Sequence, residues 1–161
     1  MSSKRFWLMK TEPETFSFND LVALPNHTDG WDGIRNYQAR NLMRDDFKKG
    51  DQVFIYHSNT VLPSIVGIAE VVKGAYPDKS ALDPKQKYYD PKSAAQGESR
   101  WVQVDVKAKK RFKTPVSLKE IKNIPELSSM VLVKKGMRLS IQPVHKNEWD
   151  FLVTLGSPGP L

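Results

Sequence analysis

The sequence predicts an α+β fold, a small mixed β-barrel with flanking helices. Three observations carry this prediction. Short apolar runs show strand periodicity, helical stretches interrupt them without one-for-one crossover alternation, and Pro and Gly punctuate the joints. With 161 residues, 39% hydrophobic and 27% charged, the chain can bury one sizeable core. One domain is expected over residues 1–161, with 1–5 and 157–161 as short tails.

Phe6 to Met9 reads as a strand apolar on both faces, ended by Pro13, which has no N–H for a ladder. Ser17 is placed as the N-cap of a helix from Phe18 to Ala23, closed by Pro25. Asn26 to Gly33 reads as a loop. Asn36 caps a second helix, Tyr37 to about Phe47, whose apolar stripe is Ala39, Leu42, Met43 and Phe47. Gly50-Asp51 makes a turn into the strand Gln52 to His57, apolar at both parities and therefore covered on both sides. Ile65 to about Val72 forms the next strand, and Gly67 within it marks a bulge or a close approach.

Pro77 to Ser99 is irregular, and a loop of that length is usually functional or mobile. Arg100 to Phe112 alternates as a strand, with Val102, Val104, Val106 and Ala108 inward and a basic comb outward. Ser117 and Glu120 form a capping box for a helix that stops before Pro125. Leu139 to Gln142 is a short strand, and Lys146 to Leu155 a helix burying Trp149, Leu152 and Val153.

The net charge of +7 is concentrated: residues 107–138 hold 10 of the 25 Lys/Arg but 2 of the 18 Asp/Glu. This fits either a polyanionic partner or a solvated surface that aids solubility. No apolar run reaches the length of a membrane span and Met1 to Arg5 lack the apolar region of a signal peptide, so an intracellular, membrane-free protein is expected. Absence of cysteine removes disulfides and thiolate metal sites. His27, His57 and His145 are too scattered for a metal motif, so no metal or cofactor is expected. Phosphate-loop, dinucleotide and nucleophile-elbow motifs are also missing.

The chemistry concentrates in Trp31-Asp32-Gly33-Ile34-Arg35-Asn36, which combines a π-face, a carboxylate, a guanidinium and an amide. Trp31 stands outside any apolar periodicity, which predicts partial exposure; a base stacked on it would gain about 1–3 kcal/mol. Asp32 and Asn36 then face the base edge. Arg35, Arg40 and Arg44 either contact phosphate or pack on the fold, and Arg44 alternatively forms a surface ion pair with Asp45, Asp46 or Asp51. Lys10, Thr11 and Glu12 form either an acid/base group or an ion pair at a strand end. Tyr56, His57 and Ser58 are either part of the pocket or a capped strand with a satisfied histidine.

Four runs occur in order: Trp7-Leu8-Met9-Lys10-Thr11-Glu12-Pro13, Trp31 to Asn41, Tyr56-His57-Ser58, and Arg138-Leu139-Ser140-Ile141-Gln142-Pro143. Together they resemble the EVE domain family, over about Phe6 to Gly156. Thr11 departs from the family's more usual Ser but keeps the hydroxyl. The resemblance implies a PUA-like barrel and a reader of modified bases, with modified cytosine in DNA foremost and RNA open. It makes Trp31 the stacking wall, with Lys10, Thr11 and Glu12 at the pocket edge and Arg35, Asn36, Asp32, Tyr56, His57 and Ser58 around it. Lys107, Lys109, Arg111 and Lys113 are assigned to the nucleic-acid backbone.

No catalytic residue is expected of a reader. Two alternatives remain: a small hydrolase of the related ASCH type acting on a modified nucleoside, with Lys10, Thr11 and Glu12 catalytic, or a small-molecule sensor. A monomer is the simplest state. The expected location is cytoplasmic in a bacterium and nuclear in a eukaryote.

Overall fold

The computed structural model describes residues 4–161, so Met1 to Ser3 of the expected N-terminal tail lie outside the described residues. Seven strands form one sheet: β1 (Phe6–Thr11), β2 (Thr28–Trp31), β3 (Gln52–His57), β4 (Ser64–Pro77), β5 (Val102–Ser117), β6 (Ile141–Val144) and β7 (Pro158–Gly159). The order is β2-β5-β4-β3-β1-β6, with β7 pairing the far end of β5. Among the described residues only β1 and β3 run parallel; the other neighbours are antiparallel.

The expected PUA-like α+β fold is formed, with its barrel sheet left open. β2 and β6 end the strand order without pairing each other, so the sheet is open and PUA-like. Each is only four residues long, which leaves little backbone to close a ladder. β2 and the segment leading into β6 instead contribute to the walls of one cavity, described below.

Both faces of the sheet are covered, as the two-sided apolar pattern of β1 and β3 requires. On one face Trp7, Met9, Val53 and Ile55 pack with α1 (Phe18–Ala23) and α2 (Tyr37–Asp45) through Phe18, Leu21, Ala39 and Met43. On the other, Leu8, Phe54 and Tyr56 meet α4 (Leu118–Lys122) and α5 (Lys146–Gly156) through Ile121, Trp149 and Leu152. The indole of Trp149 stacks on Phe54 at 3.8 Å. A fifth helix, α3 (Pro91–Gln96), lies in the stretch between β4 and β5.

Local chemistry sets the helix starts. Ser17 with Asp20 and Ser117 with Glu120 form reciprocal capping boxes, and Asn36 accepts from the backbone of Ala39 at 2.9 Å. Asp51 is more than a turn residue. Its buried carboxylate accepts from the Trp7 indole (2.9 Å) and from the backbones of Lys48 and Arg5, fixing the start of β1. Arg44 pairs with its neighbour Asp45 on the surface.

The long strand departs from its expected alternation. Ala69 pairs with Ala108 but Ile68 with Lys110, so β5 carries one extra residue at Lys109. That bulge inverts the faces: Val104, Val106 and Ala108 join the first core cluster, whereas Phe112 and Val116 join the second. The basic comb is therefore not one row. Lys109 reaches Glu70 at 3.8 Å, while Arg111 donates to Asn19 at 2.6 Å and lies over the Phe18 ring.

Three further expectations change. Thr28–Trp31, read as loop, is a strand on β5; Pro158–Gly159, read as tail, pairs with Arg111 and Phe112; and the irregular stretch contains α3. Gly67 is both at a register shift and at a close approach, since a Cβ there would meet the buried Phe18 ring at 2.5 Å and the Lys110 carbonyl at 2.9 Å. Gly67→Ala is expected to cost about 1–3 kcal/mol by overpacking. Chemical denaturation checks this; unchanged stability would show that Phe18 has room to move.

Candidate nucleic-acid interface

β1 leaves the sheet at Thr11, two residues before Pro13. The Thr11 hydroxyl donates to the Phe16 carbonyl at 2.6 Å, and the backbones of Thr15 and Phe16 donate to the carbonyl of Glu12. This turn folds Phe16 back until its ring meets Trp31 edge-on, 5.9 Å between centroids. Trp31 is held from behind by its pairing with Val104. It is 7% exposed, so the expectation of partial exposure is corrected: it belongs to the core cluster and little of it reaches the cavity.

The opposite wall comes from the stretch between β4 and β5, fastened by two buried aspartates. Asp78 accepts from the Gly33 backbone, from Arg35 Nη1 and from the Ser80 backbone, each at 2.9 Å. Arg35 also donates through Nε and Nη2 to the Tyr88 carbonyl. Gly33 has φ of +79°, and a Cβ there would lie 2.5 Å from the Tyr88 ring, so only glycine lets that ring close. Asp90 accepts from Arg100 (2.8 Å), Ser93 (2.8 Å) and the Trp101 indole (2.7 Å).

Between these walls is a cavity of about 520 Å³. Lys10 and Thr11 enter from β1, Glu12 from the turn after it, Asp29 and Trp31 from β2, and Ser58 from just beyond β3. Lys87 and Tyr88 enter from the fastened stretch, and Arg138 and Ser140 from the approach to β6, where Ser140 accepts from the Lys10 backbone at 2.9 Å.

Of the ten residues expected around the pocket, Lys10, Thr11, Glu12, Trp31, Asp32 and Ser58 line this cavity. Arg35 stands behind the wall and clamps it. Asn36 caps α2. Tyr56 is buried in the second cluster, with the Lys10 ammonium 5.8 Å from its ring. His57 accepts the Phe18 N–H at 3.0 Å through Nε2, which puts its proton on Nδ1. Lys107, Lys109, Arg111 and Lys113 are not among the lining residues.

Sequence reasoning missed Phe16, Asp29, Lys87, Tyr88, Arg138 and Ser140 as site residues. Arg138 and Ser140 lay in a motif already noted, and Tyr88 in a stretch marked by its length. Phe16 and Asp29 carried no comparable mark.

The cavity is electrostatically mixed. Partial burial raises the carboxyl pKa of Asp29, reinforced by Asp32 and Asp105; partial burial and the Asp78 charge raise that of Asp32. Burial also lowers the Lys10 ammonium and the His57 imidazole. Asp78 and Asp90 go the other way. Burial opposes their ionisation, but hydrogen bonds from Ser80, Gly33 and Arg35 to Asp78, and from Arg100, Ser93 and Trp101 to Asp90, outweigh it. Among the described residues, no three His, Asp or Glu side chains group to hold a metal ion.

An open, mixed sheet with helices on both faces and a polar-aromatic cavity between its end strands defines a PUA-like α+β protein. The chain belongs to the EVE domain family, whose model matches residues 5–155. It is 41% identical to thymocyte nuclear protein 1 of Danio rerio over 96% of this chain and 73% of the relative. It is similar to a Pseudomonas syringae protein structure at a TM-score of 0.86 and 42% identity, covering 93% of this chain and 98% of the other. The human THYN1 protein in complex with 5-methylcytosine-containing DNA matches at a TM-score of 0.89 and 39% identity, covering 98% and 100%.

Because folding lowers the pKa of Asp78 and Asp90, their stabilisation is complete above the unfolded value of about 3.9. It is lost as pH falls through the folded values. Asp90→Ala leaves Arg100 and Trp101 without their partner and is expected to cost about 3 kcal/mol at neutral pH. The same variant should lose less stability than the wild type on acidification below pH ~4. Urea titrations at neutral and acid pH check both; equal acid sensitivity would remove Asp90 from the account.

Proposed function

We propose that the protein reads DNA by taking a modified cytosine, 5-methylcytosine foremost, into the cavity between β2 and β6. The observation that carries this reading is the juxtaposition of two carboxylates, Asp29 and Asp32, with the aromatic wall of Phe16 and Trp31 in one cavity. Cytosine presents an N4 amino donor that a carboxylate accepts. The partly exposed Phe16 ring, backed edge-on by the buried Trp31, supplies the stacking surface, and Phe16 with Ile34 offers an apolar seat for a methyl group. The carboxylates also repel phosphate, so a base enters and the backbone stays outside.

Backbone contact then falls to the cations at the cavity, Lys87 and Arg138, which come from opposite walls. Both side chains are exposed and free to reach a phosphate on either side of an extruded nucleotide. This assignment replaces the β5 lysines as the first phosphate contacts. A human relative of 39% identity in complex with 5-methylcytosine-containing DNA supports DNA as the partner. Such a reader acts where DNA is held, the nucleus in a eukaryote and the cytoplasm in a bacterium.

The hydrolase reading is less well supported by the side chains it needs. Thr11 has its hydroxyl proton directed at the Phe16 carbonyl, and among the described residues no hydrogen bond joins Lys10, Thr11 and Glu12 side chains. No relay from base to nucleophile is in place.

A single buried methyl is worth about 0.8 kcal/mol, so transfer alone gives about a fourfold preference for the methylated strand. Phe16→Ala should level the two, and Asp32→Asn should weaken cytosine recognition by about tenfold or more. Fluorescence anisotropy with methylated, unmethylated and thymine-containing oligonucleotides decides this; equal binding of all three by the wild type would refute the reading. Trp31→Ala is a poor probe, since removing a core tryptophan costs about 3–5 kcal/mol in itself. Lys87→Gln and Arg138→Gln should each reduce the salt slope by about 1 and weaken all sequences alike, whereas Lys107→Gln should leave the slope nearly unchanged.

A further inference from the structure

The two most solvent-exposed large apolar side chains among the described residues are adjacent. Val61 is fully exposed (102%) and Leu62 is 59% exposed, at the tip of the loop joining β3 to β4. Isolated apolar side chains on a surface are ordinary, but a neighbouring pair projecting from a fastened loop is a feature of another kind.

The loop starts at the cavity. Ser58 lines the cavity wall, and its backbone N–H donates to the Thr11 carbonyl at 3.0 Å. Asn59 then takes a left-handed conformation, φ +52°, which turns the chain outward. The returning leg is tied down as firmly. The Leu62 carbonyl accepts from the Ser64 hydroxyl at 2.9 Å, and the Pro63 carbonyl accepts from the Leu118 backbone at 2.8 Å. Both feet are anchored, and the β-branched Val61 and the adjoining Pro63 limit the freedom of the tip.

We propose that Val61 and Leu62 are an apolar wedge that enters duplex DNA where the base is extruded and occupies the space the base leaves. The proposal rests on the base-binding reading above. Taking a base out of the stack leaves a gap bounded above and below by the π-faces of its neighbours, and aliphatic wedges are suited to such gaps. Val61 and Leu62 lie three and four residues beyond Ser58, a reach of at most about 11–14 Å, so the tip stays within about one major-groove width of the cavity wall. Lys119, beside Leu118 at the returning foot, is exposed and can meet a phosphate next to the wedge. Continuity with the cavity and this flanking cation favour DNA over a protein partner for the apolar tip.

The test compares the wild type with Val61→Ser/Leu62→Ser, a double variant that removes apolar bulk from exposed positions. Three probes are used: a methylated duplex and the methylated single strand alone, each beside its unmethylated counterpart, and a duplex carrying 2-aminopurine next to the methylated cytosine. The variant should bind the methylated duplex about tenfold more weakly and keep wild-type affinity for the single strand, which has no stack to open. The 2-aminopurine fluorescence change seen with the wild type should be lost.

Equal duplex binding by the two proteins overturns the wedge; if the wild type still prefers the methylated single strand, the base-pocket reading survives that result. An equal fall on duplex and single strand also overturns it, because the loop then serves the cavity wall. A wild type indifferent to methylation on both substrates overturns the base-pocket reading and the wedge with it. Thermal melting of the double variant separates any of these from a folding defect, and a melt matching the wild type is expected.

Discussion

The cavity depends on the Asp78 carboxylate. It is fully buried, yet it accepts from Gly33, Arg35 and Ser80, and so joins the loop after β2 to the stretch after β4. Those segments lie about 45 residues apart in the chain and have no ladder between them. Without that carboxylate, the Gly33 backbone and Arg35 lose their shared anchor, and the Arg35 bonds to the Tyr88 carbonyl are left to hold that wall of the site. A buried carboxylate is tolerable only when its lone pairs are met, and here backbone, guanidinium and serine meet them. Asp90 repeats the device ten residues before Arg100 and secures the other end of the same stretch. The irregular stretch is therefore a fastened wall rather than a free loop.

Within that frame the cavity combines features that would conflict on an open surface. Phosphate contact calls for cations, and base contact calls for acceptors and apolar faces. The fold separates them. Asp29 and Asp32 sit with Trp31 on the β2 side, and Lys87 and Arg138 come from opposite walls. The open sheet makes this separation available, because its two end strands stay apart. Had β2 and β6 paired, the space that now holds Lys10, Trp31 and Ser140 together would be filled by backbone.

Much of the scaffold was legible in the chain because its causes are local. Trp7, Leu8 and Met9, and Val53 to Tyr56, are apolar at both parities and proved to be covered on both faces. Ser17, Asn36 and Ser117 were readable as caps, since a cap bonds to a backbone group two or three residues away. Gly67 was readable as a crowded position from its place in an apolar strand. The misreadings have non-local causes. Thr28 to Trp31 is too polar to look like a strand, and it becomes one only because β5 offers it an edge. The Lys109 bulge is decided by the partner strand, and it broke a comb that looked continuous along β5 itself.

The same division holds for the site. The chain by itself determined which chemistry is concentrated near Trp31 and near Lys10, because neighbouring residues share a motif and a local conformation. It also determined membership of the EVE family, through four motifs in a fixed order. Tertiary structure alone decided that Arg35 ties Asp78 to the Tyr88 carbonyl, that His57 accepts from the start of α1, and that Phe16, Tyr88 and Arg138 face one cavity. Those roles rest on contacts between segments far apart in sequence, and side-chain periodicity within one segment carries no information about which distant segment will oppose it.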